Sequence, residues 1–151
     1  MAKILDTGAY VSVLRELTEQ GQEVSMTVAG GSMVPFLAHN RDMILFKKPD
    51  RPLKKGDMVF YQRPDGRFVM HRICRIADEG YYMVGDAQTY IEGPLPRECI
   101  FAYVTQVRRK GKWIDEHDFW WRFFQKIWIR IIPMRRILID GYCFMKRLLG
   151  R

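Results

Sequence analysis

Between residues 23 and 114 the chain is a succession of short β-type runs, "VSMTV", "MILF", "DMVFYQ", "RFVMHRICRI", "YYMVG", "IFAYVTQV" and "KWI". They are parted by the turn chemistry of "GGS", "KKPDRP", "KKGD", "PDG", "DEG", "EGPLP" and "RKGK". Runs of this length, so closely spaced, pair antiparallel with their neighbours. The expected fold is therefore mainly β, a curled antiparallel sheet or a partly closed barrel. At 151 residues and 48% apolar content the chain suits one domain with an appendage.

A short N-terminal helix is expected before the first strand. Asp6 or Thr7 can cap it, Tyr10, Val13, Leu14 and Leu17 share its apolar face, and Gly21 terminates it. The clearest hairpin is "FYQRPDGRFVMHRI", turning at Asp65-Gly66. Along its second strand Val69, His71, Ile73 and Arg75 point one way, and Phe68, Met70, Arg72, Cys74 and Ile76 the other.

Two glycines, a serine and a proline follow the first strand in "GGSMVP", at residues 30–35. Such a sequence makes a turn, and it can also present Ser32 as a nucleophile. A hydroxyl attacks at neutral pH only with a base in reach and a group that orients that base. Of the three histidines, His39 ("LAHNRD") and His117 ("DEHD") lie in hydrophilic turns, and His71 alone sits mid-strand. Asp86, in "YYMVGDAQ", is delivered where a strand ends and can orient an imidazole. Ser32, His71 and Asp86 are thus the candidate catalytic residues, with the plain readings, a turn serine, a locally satisfied histidine and a turn aspartate, beside them.

In chain order "GGSMVPFL", "RDMILF", "KKGDMVFYQRPDGRFVMHRI" and "YYMVGD" resemble the successive boxes of the signal peptidase I and LexA-like serine peptidases, over roughly residues 22–108. One branch of that family pairs its serine with lysine, the endoplasmic-reticulum-type branch with histidine and an aspartate. "MHRI" in the base box resembles the second. The resemblance implies Ser32 as nucleophile, His71 as base and Asp86 as acid, on a sheet of the signal-peptidase and LexA type. A lysine base would come from Lys47, Lys48, Lys54 or Lys55, all in charged turns that keep an ammonium protonated. The sequence departs from the family pattern at Gly30, where relatives carry an oxyanion-assisting serine, at Arg41-Asp42 for the first Gly-Asp, and in lacking an asparagine after Asp86. Backbone N–H groups of Gly30, Gly31 and Ser32 are left to form the oxyanion hole.

Charge is divided unevenly. Residues 1–118 hold 17 Lys and Arg against 16 Asp and Glu, whereas residues 119–151 hold eight against Asp140 alone. Residues 1–112 are accordingly assigned to the β catalytic domain with its leading helix, and 113–151 to a basic, aromatic tail forming an amphipathic helical hairpin. In "FWWRFFQKIWIRII" the cations Arg122, Lys126 and Arg130 recur every fourth residue amid Trp120, Trp121, Phe124 and Trp128. These seven are the expected membrane-interface residues, on anionic lipid. Packing on the β-domain or on a second copy is the alternative; nucleic acid is disfavoured, since base-stacking aromatics normally line a sheet or groove.

No run of the sequence suits a signal peptide or a membrane span, so a cytoplasmic chain peripheral to the inner face of a bacterial membrane is expected. Cys74, Cys99 and Cys143, odd in number and widely spaced, suggest reduced thiols rather than disulfides or a zinc site. Neither cofactor nor metal is expected. The functional expectation is a serine endopeptidase that cleaves an extended peptide or leader segment through an acyl-enzyme. The alternative is a non-catalytic module of the same fold that binds peptide or lipid.

Overall fold

β7 (Ile100–Arg109) is the strand around which the sheet is organised. In the computed structural model, which describes residues 7 to 150, it pairs antiparallel with β2 (Met43–Lys47), β3 (Met58–Gln62) and β8 (Lys112–Ile114). β1 (Val24–Thr27) extends the sheet beyond β2, and β4 (Phe68–Ala77), β5 (Gly80–Val84) and β6 (Glu92–Leu95) extend it beyond β3, giving the order β1-β2-β7-β3-β4-β5-β6. Every pairing is antiparallel, as the short turns require. Register shifts at Leu45/Phe46, Phe60/Tyr61 and Ile73/Arg75 bend the strands and curl the sheet, which does not close.

Curling buries both faces of β3, which is why "MVFY" reads as a continuous apolar run rather than an alternating one. Met58 and Phe60 enter a larger core with Phe36, Phe46, Val104 and Val107; Val59 and Tyr61 enter a second with Ile73, Met83 and Ile100. The hairpin joining β3 to β4 closes as a three-residue loop, with Arg63 N–H bonded to Arg67 O and Gly66 N–H to Arg63 O. It sets Val59 opposite His71 and Tyr61 opposite Val69. Val69, His71 and Ile73 share a face as expected, but the shift at Ile73/Arg75 ends the alternation, and Arg75 and Ile76 are both exposed.

α1 (Thr7–Glu19) forms and stops at Gly21, whose N–H bonds Thr18 O. Asp6 lies outside the described residues. The buried face of α1 is Val11 and Leu14, with Leu17 packed beside them, while Tyr10 and Val13 face solvent. The helix therefore lies rotated from the face chosen by sequence, with Val11 and Leu14 turned into the larger core where it packs against β7 and β1.

The tail differs most from expectation. α2 (Phe119–Lys126), two 3-10 turns (Trp128–Arg130 and Ile132–Met134) and α3 (Arg135–Leu148) follow β8. Asp118 caps α2, accepting from Trp120 N–H at 2.8 Å and Trp121 N–H at 3.2 Å. Trp121, Phe124 and Trp128 are not membrane-interface residues: all three are buried in the larger core, Trp121 edge-on to Phe36 and Phe124 between Phe36 and Trp128. The curled sheet leaves one face open, and these rings cover it, each contributing roughly 2 kcal/mol or more. Trp120, Arg122, Lys126 and Arg130 are exposed, in keeping with a cationic outer stripe. The two helices do not form a hairpin; α3 leaves the body with most of its side chains exposed. No described helix is long and apolar enough to cross a membrane.

Candidate active site

The chain after β1 is held by Asp42. Its buried carboxylate accepts from Ala38 N–H, Lys110 N–H and the Arg41 guanidinium, while its carbonyl accepts from Val28 N–H. Between these ties residues 30–37 form consecutive turns, with Met33, Phe36 and Leu37 buried beneath. Gly30 has φ +85°, and a Cβ there would meet nothing within 4 Å, so the backbone rather than space selects glycine. Its N–H donates to His39 Nδ1 at 2.7 Å. Gly30 is thus removed from the expected oxyanion donors, since that N–H already has an acceptor. Among the described residues, the N–H groups of Gly31 and Ser32 have no internal acceptor.

Ser32 is half-buried, and its carbonyl accepts from Ala87 N–H at 2.9 Å. This ties the serine turn to the turn after β5. The approach is so close that a Cβ on Gly85 would lie 2.6 Å from Ser32 O, which explains the glycine of "YYMVGD". Ser32 also lines an apolar groove of about 410 Å³ with Met26, Val28, Phe60, Phe68 and Met70, where β1 and β4 fail to pair.

His71 borders the same turn through Ala87 and Gln88. It is 4% exposed and lines a cavity of about 330 Å³ with Arg63, Ala87, Gln88, Tyr90 and Glu92. Its Nδ1 lies 3.1 Å from the Tyr61 hydroxyl, which donates to Glu92 at 2.9 Å; Arg63 Nε donates to Glu92 at 2.7 Å. Burial, reinforced by the Arg63 charge, lowers the imidazole pKa to about 4, so His71 is neutral at pH 7. Burial would raise the Glu92 carboxyl, but hydrogen bonds from Arg63 and Tyr61 outweigh it and hold Glu92 below the usual carboxylate range. Burial and the Glu92 contact raise the Tyr61 phenol, which keeps its proton.

Asp86 does not reach His71. Both its oxygens are taken by Arg72, through Nε at 2.9 Å and Nη2 at 2.9 Å, and the remaining arm of Arg72 donates to Gly56 O. The expectation that Asp86 orients the imidazole by a hydrogen bond is corrected on that ground; its charge still favours the imidazolium from a distance. Asp42 and Asp57 are likewise bound by Arg41 and Arg51. The Asp of each of these boxes thus has an arginine partner, and each closes a turn. No hydrogen bond joins Ser32 to His71; Ser32 meets the turn through its carbonyl at Ala87 N–H, and His71 lines a cavity with Ala87 and Gln88.

Tyr61 and Glu92 went unnoticed in the sequence. The hairpin register carries a signal for Tyr61, because Val59 opposite His71 makes Tyr61 its diagonal neighbour on the same face. Glu92 has none, since "EGPLP" reads as a turn and contributes β6 only through pairing with β5. Among the described residues no group of His, Cys, Asp and Glu is arranged to hold a metal ion. No protein-family model, curated protein or solved structure matches the chain.

Proposed function

We propose that the chain is a serine endopeptidase of the Ser-His type, resembling the signal peptidase and LexA-like enzymes, which cleaves an extended peptide segment. The observation that carries this reading is that Ser32, through its carbonyl at Ala87 N–H, and a neutral, buried His71, through the cavity it shares with Ala87 and Gln88, border one turn, Gly85–Gln88, with two N–H groups at Gly31 and Ser32 left unbonded. A substrate strand lies in the apolar groove between β1 and β4. Ser32 Oγ attacks the scissile carbonyl carbon and its proton passes to His71 Nε2. The oxyanion rests on the N–H groups of Gly31 and Ser32. Collapse expels the amine, which takes the proton from His71, and a water molecule activated by the same nitrogen releases the acyl group.

Ser32 and His71 make no hydrogen bond in the free protein. Catalytic contacts commonly tighten only when substrate fills the site. Labelling with a fluorophosphonate in the presence of vesicles tests the reading: modification of wild type but not of Ser32→Ala supports it, and no modification at Ser32 overturns it. The latter result selects the second reading, a non-catalytic peptide-binding module, which the engaged Gly30 N–H favours.

The enzyme is held peripherally at an anionic membrane, on the cytoplasmic face, by α3 rather than α2. Ile137, Leu138, Tyr142, Phe144, Met145 and Leu148 lie along one exposed side of α3, with Arg136 and Arg147 at one edge and Lys146 at the other. An apolar face with basic flanks matches a headgroup layer of opposite charge.

A further inference from the structure

We propose that Glu92, acting through Tyr61, is the positioning group of His71 and fixes it in the tautomer that carries hydrogen on Nδ1. A phenol has one proton to donate. Glu92 is a carboxylate paired with Arg63, so it can only accept, and the proton of Tyr61 is directed to it at 2.9 Å. The same oxygen lies 3.1 Å from His71 Nδ1 and can there only accept. An unprotonated Nδ1 would set two lone pairs against each other inside a buried site. Nδ1 therefore bears the hydrogen, and the lone pair is left on Nε2.

That tautomer is the one a serine base needs. In the familiar triad a carboxylate takes the Nδ1 hydrogen directly; here a hydroxyl is interposed. Proton uptake at Nε2 creates an imidazolium whose Nδ1–H still points at a phenol oxygen bonded to a carboxylate. The charged groups that act on His71 are Arg63, just after β3, Glu92, from β6, and, from farther off, Asp86, after β5. Asp86 is committed to Arg72, which leaves Glu92 as the acid connected to the ring.

The catalytic consequence rests on the peptidase reading, but the tautomer does not, and two measurements separate them. The first is imidazole 15N NMR of the full chain at neutral pH. His71 is expected as the Nδ1–H form in wild type, with the Nε2–H form gaining population in Tyr61→Phe. An Nε2–H tautomer in wild type overturns the proposal without any variant having to fold. The second is the fluorophosphonate labelling rate of Ser32 in folded protein. It is expected to fall about 100-fold in Tyr61→Phe. Glu92→Gln, which loses the charge but can keep the acceptor, is expected to move the acid limb of the pH profile to lower pH. Wild-type rates and profiles in both variants overturn the positioning role. Failure of wild type to label at all removes the peptidase reading, while the NMR result still decides the tautomer.

Discussion

Arg72 and Asp86 face each other in a two-armed ion pair, each arm 2.9 Å long, with side-chain exposures of 1% and 0%. The pair joins β4 to the turn after β5, and the third arm of Arg72 reaches Gly56 O, so one guanidinium fixes three segments around the site. Removing one partner of such a pair strands a buried charge. Asp86→Asn is expected to lower the unfolding free energy by about 3–5 kcal/mol, read by urea denaturation. Labelling of Ser32, corrected for the folded fraction, should change far less. A variant with wild-type stability and greatly slowed labelling would instead make Asp86 the acid of the triad.

His71 makes stability depend on pH in a definite direction. Its folded pKa, about 4, lies below the ordinary value of 6.5, so the unfolded chain binds the proton more readily between those values. Stability contributed by the neutral ring is complete above pH 6.5 and is lost as pH falls towards 4, by about 3 kcal/mol in all. The carboxyls of Asp42 and Glu92, lowered from ordinary values of 3.8 and 4.5, act in the same direction and contribute little to the change above pH 4.5. Urea unfolding at pH 7 and pH 4.5 should show the loss in wild type and a much smaller one in His71→Asn. Equal slopes for the two proteins would mean that His71 is not the buried titrating group.

The sheet was legible because every strand except β6 announces itself by β-branched and aromatic residues between turn signals, and Asp65-Gly66 fixes the central hairpin. Ser32 and His71 were legible as the serine of a Gly-Gly-Ser turn and the mid-strand histidine. Partner choice was not. Asp86 was assigned to His71 because both are conspicuous in sequence, but Arg72, adjacent to His71 on the opposite face, reaches that carboxylate first. Strand alternation shows which side chains share a face, while the curl that swings Asp86 towards Arg72 depends on bulges and on the tail. The tail itself illustrates a further limit: an aromatic, basic helix has the same pattern whether its rings meet lipid or protein. Only the open face of the sheet shows that Trp121, Phe124 and Trp128 are core.

Gly30 is required by its backbone, in a conformation that disfavours a Cβ by roughly 1–2 kcal/mol. Gly30→Ala and Gly30→Ser are expected to lose about that much stability in thermal melts, although neither side chain meets a neighbour. A serine at this place, as in the signal peptidase pattern that the sequence resembles, is therefore not accommodated without strain in this turn. Undiminished stability in both variants would show that the turn can relax to a conformation that accepts a Cβ.

Membrane contact through α3 must be tested without disturbing the rest of the tail. Trp128 donates its indole N–H to Asp86 O at 2.8 Å, and buried Arg135, the first residue of α3, donates to Gly85 O, Gln88 O and Trp128 O. Cutting the chain near residue 112 would remove these ties and three core rings at once. Phe144→Asp with Leu148→Asp changes only exposed positions, 61% and 70% accessible, and should leave the melting temperature within a degree or two of wild type. Wild type is expected to sediment with phosphatidylglycerol vesicles, less with phosphatidylcholine vesicles, and less again at high salt, because the basic flanks act through screened charge. The double variant should stay in the supernatant. Unchanged sedimentation of the variant would exclude α3 as the lipid contact, and a wild-type dimer in light scattering that the variant abolishes would assign the same face to a second copy of the chain.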